Sequence, residues 1–350
     1  NNGRADLQSA KLRILTWFGG LGSPPYVRGS QSEHESNLMA TVSPQSGQKY
    51  LDPKTLDKIK RLDVRARLVV EGFITGEHRS PYNGFAVEFA AHREYAPGDD
   101  TKHIDWKVWS KTDRFYIKEY EEETNLKCTI LLDCSKSMQY GAAADGTGWS
   151  KFDYAATAAA SLTYLLQQQQ DAVGLITFNT KVDKHLPASS HPSHLKLMMH
   201  ELEQTQTDDQ TDVGRVFPEL AQQIRKRGMI VLISDLFVDV PTLAECIKQF
   251  RLRKHEVIVL NVMHEDELTF PFQENTLFKG LEIDRELHTE PRALRRSYLE
   301  AVERFHKRVR KICASSGVDY HLLSTGDPLD AALSSYLTFR QKTRRNIHRH

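Results

Sequence analysis

Five near-continuous apolar runs, each separated from the next by a stretch with helical spacing, constrain this chain more than any other feature. They occupy residues 128–132, 172–178, 229–233, 257–262 and 318–323. A strand that faces water on one side alternates apolar and polar residues, so runs without that alternation demand cover on both faces. Helical patterns fill the intervals at 152–170, with its Ala-rich face, and at 193–203, 213–227, 243–252 and 293–313. Strand and helix in regular alternation predict an α/β fold, a three-layer sandwich around a mainly parallel sheet. Residues 268–287 read as a hairpin-like excursion, because Phe270-Pro271-Phe272 does not suit a central strand.

Upstream of the first run the character changes. Leu56, Ile59, Leu62, Val64 and Leu68 partly follow helical spacing behind an Asp52-Pro53 start signal, which predicts a leading helix over residues 52–71. Residues 84–118 interleave Phe85, Phe89, Tyr95, Trp106, Trp109, Phe115 and Tyr116 with charged side chains and read as a compact module of short strands and turns. The expected organisation is an unstructured or mis-assigned extension over 1–38, with Met39 as a natural start, a small module over 39–123, the sheet domain over 124–340 and a basic tail over 341–350. A chain of 350 residues can bury a full core, and 47 basic against 46 acidic side chains leave no global field for nucleic acid or an anionic surface. Cys128, Cys134, Cys246 and Cys313 have neither C-x-x-C spacing nor a disulfide framework, so reduced thiols and a cytoplasmic location are expected. No stretch approaches the roughly 18 consecutive apolar residues of a membrane helix.

Chemistry concentrates where strands end. Ligands of open parallel sheets sit in the crevice at the carboxyl ends of the strands, where loops present side chains without disturbing the core. Three segments converge there: Asp133-Cys134-Ser135-Lys136-Ser137 after the first run, Thr211-Asp212 opening a helix, and Asp235 after the run 229–233. A hard divalent cation takes about six oxygen ligands, some of them water, and one or two carboxylates beside neutral oxygens satisfy it. Asp133, Ser135, Ser137, Thr211 and Asp235 supply that mixture. Alone, Asp-x-Ser-x-Ser is also what a helix-capping turn looks like.

These three elements, in this order, resemble the metal-ion-dependent adhesion site of the von Willebrand factor A superfamily. The resemblance implies a von Willebrand A-like, Rossmann-like sandwich. It assigns Asp133, Ser135 and Ser137 to the first element, Thr211 to the second and Asp235 to the third, around Mg2+ or Mn2+. An ion held by so few carboxylates stays electrophilic, and an acidic side chain from a protein partner completes its coordination. A second resemblance lies upstream, in the run from Phe89 to Lys107 that contains Arg93, Tyr95, Gly98, Asp99, Asp100, Asp105 and Trp106. That run looks like the hallmark of a bacterial family known as domain of unknown function fifty-eight, and the likeness extends over about residues 52–339. Members join this motif to a von Willebrand A-like domain and are commonly encoded beside MoxR-type AAA+ ATPases. Thr101 and Lys102 stand where the family often has Pro and Arg.

Two readings of the upstream motif compete. Arg93, Asp99, Asp105 and Trp106 form a buried ion-pair and packing network joining the module to the sheet domain, which paired charges among aromatics favour, or the motif is a docking surface. The function expected is a non-enzymatic scaffold or adaptor, acting with a MoxR-type ATPase in complex assembly or maturation. The rival is a metal-dependent hydrolase or phosphatase using Asp133 as nucleophile. Against it, Ser135 stands where such enzymes resemble an Asp-x-Asp acid and base, and no Gly-x-Ser-x-Gly, phosphate-binding loop or His-Glu-x-x-His motif occurs. The fifteen histidines lack zinc spacing. The basic helix 292–311 carries Glu300 and Glu303 on the same helix, as a solvated, ion-paired face does. Gly146-Thr-Gly148-Trp-Ser-Lys151 reads as a flexible loop before a helix.

Overall fold

The computed structural model describes residues 26–27, 56, 59, 61–76, 91–94, 106–112, 114–119, 126–142, 149–207, 213–224, 226–238, 240–274, 276–279, 286–329 and 333–334. In chain order the elements are β1 (Tyr26–Val27), α1 (Leu62–Gly76), β2 (Ala91–Glu94), α2 (Trp106–Thr112), β3 (Tyr116–Glu119), β4 (Lys127–Asp133), α3 (Lys151–Gln168), β5 (Ala172–Phe178), β6 (Val182–Ser189), α4 (Pro192–Gln204), α5 (Val213–Gln223), β7 (Met229–Ser234), α6 (Val240–Leu252), β8 (Glu256–Met263), α7 (Glu265–Thr269), β9 (Thr276–Lys279), β10 (Glu286–Thr289), α8 (Pro291–Ser315) and β11 (Asp319–Ser324).

Six strands form the central sheet in the order β11-β8-β7-β4-β5-β6, all parallel except β6, which runs antiparallel to β5. Period-two geometry sends alternate residues of each strand to opposite faces. On one face Ile130, Leu132, Val231, Ile233, Ile258 and Leu260 pack against α1, α3 and α4. On the other, Leu131, Ile230, Leu232, Val257 and Val259 pack against α5, α6 and α8. Both faces are therefore covered, giving the three-layer α/β sandwich that the continuous apolar runs require. The strand missed by pattern is β6: an edge position leaves Asp183, Lys184 and His185 exposed, and Pro187 is tolerated there.

The chain divides into two compact units, His78–Asn125 and the remainder. This moves the expected boundary, because α1 belongs with the sheet: Leu62, Ala66, Val69, Val70 and Phe73 sit in the same core as Tyr154 and Leu162 of α3. Within the small unit, β2 and β3 pair antiparallel. The excursion expected over 268–287 contains a hairpin strand pair, β9 with β10, and β1 adds to it through Tyr26↔Lys279 and Val27↔Phe278. Tyr26 and Val27 thus correct the expectation that all of 1–38 lacks structure; the rest of that segment and the tail 341–350 lie outside the described residues. Among the described residues, no helix is long and apolar enough to cross a membrane.

Candidate functional site at the carboxyl end of the sheet

From β4 the chain crosses to β5 on one side, and it later returns as β7 on the other, so the strand order reverses between β4 and β7. That reversal opens a crevice at the carboxyl ends of the strands, the place where sheets of this kind bind ligands. Asp133 ends β4 and Asp235 follows β7, so both carboxylates flank it.

Asp133 is fully buried. Its Oδ1 accepts the Ser135 N–H at 2.9 Å and its Oδ2 accepts the Ser234 hydroxyl at 2.6 Å. Neither donor carries a charge. Burial pushes the Asp133 carboxyl up to about 6, and the nearby charge of Asp235 pushes the same way, against the pull of these hydrogen bonds. A divalent cation beside it would reverse that balance.

Ser135 and Ser137 are also buried, with their hydroxyls 2.9 Å apart. A short 3-10 turn over Lys136–Gln139 brings them together. Ser135 occupies the N-cap of that turn, yet its side chain makes no capping hydrogen bond. The hydroxyl is turned toward Ser137 instead, which a residue recruited only to cap would not do.

Asp235 is held by a different set of groups. Leu236 adopts the left-handed conformation, φ 57°, a costly position for a bulky residue and one that recurs at functional turns. The turn lets Ser234 Oγ accept the Leu236 N–H at 3.0 Å while donating to Asp133, and lets Asp235 Oδ1 accept the Phe237 N–H at 3.2 Å. Asp235 Oδ2 accepts from Lys151 Nζ at 2.8 Å, and the same ammonium donates to Glu267 Oε1 at 2.9 Å. Lys151, Asp235 and Glu267 are all buried. Burial opposes the Lys151 charge, but Asp235 and Glu267 outweigh it and hold the ammonium above its usual range. Burial raises the Glu267 carboxyl, against the pull of Lys151.

Sequence reasoning missed Lys151, which is the first residue of α3 behind the capping box of Ser150 and Asp153 rather than the end of a loop. A signal was present: a helix N-terminus disfavours cations, so a lysine there implies a compensating anion. Ser234 was missed as well: it lies just past the run 229–233, and the carboxylate it serves is 101 positions away.

Among the described residues, no group of three or more His, Cys, Asp or Glu side chains is placed to hold a metal ion. The donor set here is of another kind: two carboxylates and paired hydroxyls, the mixture that suits a small hard cation with retained waters. Asp133, Ser135 and Ser137 are the residues able to contact such an ion, with Asp235 beside them. Thr211 lies outside the described residues.

Of the upstream motif, Arg93 pairs in backbone register with Ile117 in the β2–β3 ladder, and Trp106 and Lys107 begin α2. Tyr95, Gly98, Asp99, Asp100 and Asp105 lie outside the described residues. Trp106 is 59% exposed. It meets Trp109 and Phe115 of its own unit edge-on, at 6.1 and 6.5 Å between ring centroids. All four cysteines are free and buried.

Residues 91–308, more than half of the chain, match the family described as "Protein of unknown function DUF58", and the chain belongs to that family. Uncharacterized proteins of Mycobacterium tuberculosis and Mycobacterium bovis are each 24% identical over 315 residues, covering 88% of this chain and 97% of theirs. Among solved structures, the conserved hypothetical protein BatB from Bacteroides thetaiotaomicron is 16% identical with a TM-score of 0.41, covering 62% of this chain and 99% of that one. An aerotolerance-related membrane protein from Bacteroides fragilis is 17% identical with a TM-score of 0.42, covering 63% and 99%.

Proposed function

We propose that this protein is a non-enzymatic adaptor of von Willebrand A-like type, which binds Mg2+ or Mn2+ at Asp133, Ser135 and Ser137 and engages an acidic side chain of a protein partner there. The observation that carries the reading is the buried Ser135–Ser137 hydroxyl pair beside Asp133, unspent on capping, at the sheet's point of reversal. When bound, the ion supplies a Lewis-acidic position that a partner carboxylate can fill. The chain's own residues orient it: Ser234 and the Ser135 N–H fix the Asp133 carboxylate, and the Leu236 turn sets Asp235 beside it. Thr211 completes the set in this reading. The family resemblance makes a MoxR-type AAA+ ATPase the partner to try first, in complex assembly or maturation. The free cysteines support a reducing, cytoplasmic setting.

The test is capture of that ATPase by purified wild-type protein and Asp133→Ala, with Mg2+ or with chelator. Capture is expected for wild type with Mg2+ and lost in the other three combinations, with the circular dichroism of the variant unchanged. Equal capture in all four would overturn the adhesion-site reading. Phosphoester turnover that vanished with Asp133→Ala would replace it with a hydrolase.

A further inference from the structure

We propose that Lys151 is a resident counter-charge that limits how much of the Asp235 charge a bound divalent cation can use, and so sets the metal affinity of the site; the proposal rests on the reading above. Both oxygens of Asp235 are engaged, Oδ2 by Lys151 at 2.8 Å and Oδ1 by the Phe237 N–H at 3.2 Å. An incoming cation therefore meets a carboxylate whose charge is already partly spent. The ammonium is not free to move away, since Glu267 Oε1 holds it at 2.9 Å, the Phe237 ring lies 5.0 Å from it, and water does not reach it.

Glu267 is itself anchored. Its Oε2 accepts the His264 N–H at 2.8 Å in the capping box of α7, and its backbone carbonyl accepts the Tyr298 hydroxyl at 2.9 Å. Lys151 thus ties the start of α3 to the end of β7 and to α7. When ionised, Asp133, Asp235 and Glu267 carry three negative charges against the single positive charge of Lys151. The buried set then sums to minus two, which one divalent cation neutralises. Buried charge of one sign is expensive, so a neutral sum is the arrangement such an interior favours.

Charge and architecture make different demands on variants. Lys151→Met takes the set to minus three, and Glu267→Gln takes it to minus one. Calorimetric titration of full-length protein with MgCl2 and with MnCl2 at pH 7.5 is expected to give about tenfold tighter binding for Lys151→Met and about tenfold weaker binding for Glu267→Gln. The double variant restores minus two and is expected to return close to wild type. If Lys151 were only a structural tie, both single variants would bind more weakly or unchanged, and the proposal would be overturned. Should Lys151→Met fail to fold by circular dichroism, the double variant decides: weaker binding by Glu267→Gln that returns close to wild type in the double variant supports the proposal, and double-variant binding no tighter than that of Glu267→Gln overturns it. Wild-type protein that takes up neither metal would remove the adhesion-site reading itself, an outcome separate from a wrong order among the variants.

Discussion

Asp133 and Asp235 flank the same crevice, are equally shielded from water, and are compensated in opposite ways. Asp133 is held by a hydroxyl and a backbone N–H, and Asp235 by a buried ammonium and a backbone N–H. Neutral donors leave Asp133 with a carboxyl raised to about 6, whereas Asp235 has its countercharge built into the fold. Burial alone therefore does not define the chemistry of a carboxylate. What distinguishes the two is whether the chain places a positive charge or only neutral donors on the carboxylate.

The largest expected effect comes from removing the built-in charge. Lys151→Met leaves two buried carboxylates without their cation, and a urea titration of the metal-free protein is expected to show a loss of about 3–5 kcal/mol. A loss near zero would mean that Asp235 needs no internal partner and would erase the contrast. The next effect concerns Asp133. Its carboxyl is raised above the ordinary 3.8, so the folded state binds more protons than the unfolded state between pH 4 and 6. Stability from this group is present below pH 4 and is lost as pH rises through about 6, by roughly 2–3 kcal/mol in all. The predicted signature is a metal-free stability that falls over this window in wild type relative to Asp133→Asn, which cannot titrate. Parallel pH profiles for the two proteins would show that Asp133 is not under this strain. The smallest effect is expected at Trp106. Trp106 is largely exposed and meets Trp109 and Phe115 of its own unit, so Trp106→Ala should change the unfolding of the sheet unit by less than about 0.5 kcal/mol. A larger change would show that the sheet unit depends on that ring after all.

Much of this architecture was legible because buried strands have a simple signature. The runs around Ile130, Leu175, Val231 and Ile258 lack alternation because helices cover both faces, and that requirement alone specifies a three-layer sandwich. The edge strand β6 escaped because exposure removes the same signature from Lys184, His185 and Pro187. At the site, Asp133, Ser135, Ser137 and Asp235 were visible as polar residues at strand ends. Lys151 and Ser234 were not, since their roles depend on partners 84 and 101 positions away along the chain. A residue whose function is to compensate a distant charge carries no local pattern, except where it breaks a local rule, as a lysine at a helix N-terminus does. The boundary of the small module was misplaced for a related reason: the apolar face of α1 is evident in the sequence, but not which core it joins.

Metal binding at Asp133 is tested most directly by a thermal unfolding series with increasing MgCl2 at pH 7.5, comparing wild type with Asp133→Asn. Ligand that binds only the folded state raises the unfolding temperature in proportion to the logarithm of its concentration once the site is saturated. The wild-type transition is expected to climb steadily with Mg2+ and the Asp133→Asn transition to stay flat, from a metal-free starting point at or above that of wild type. A wild-type transition that ignored Mg2+ and Mn2+, or an Asp133→Asn transition that climbed in step with it, would contradict metal binding at Asp133.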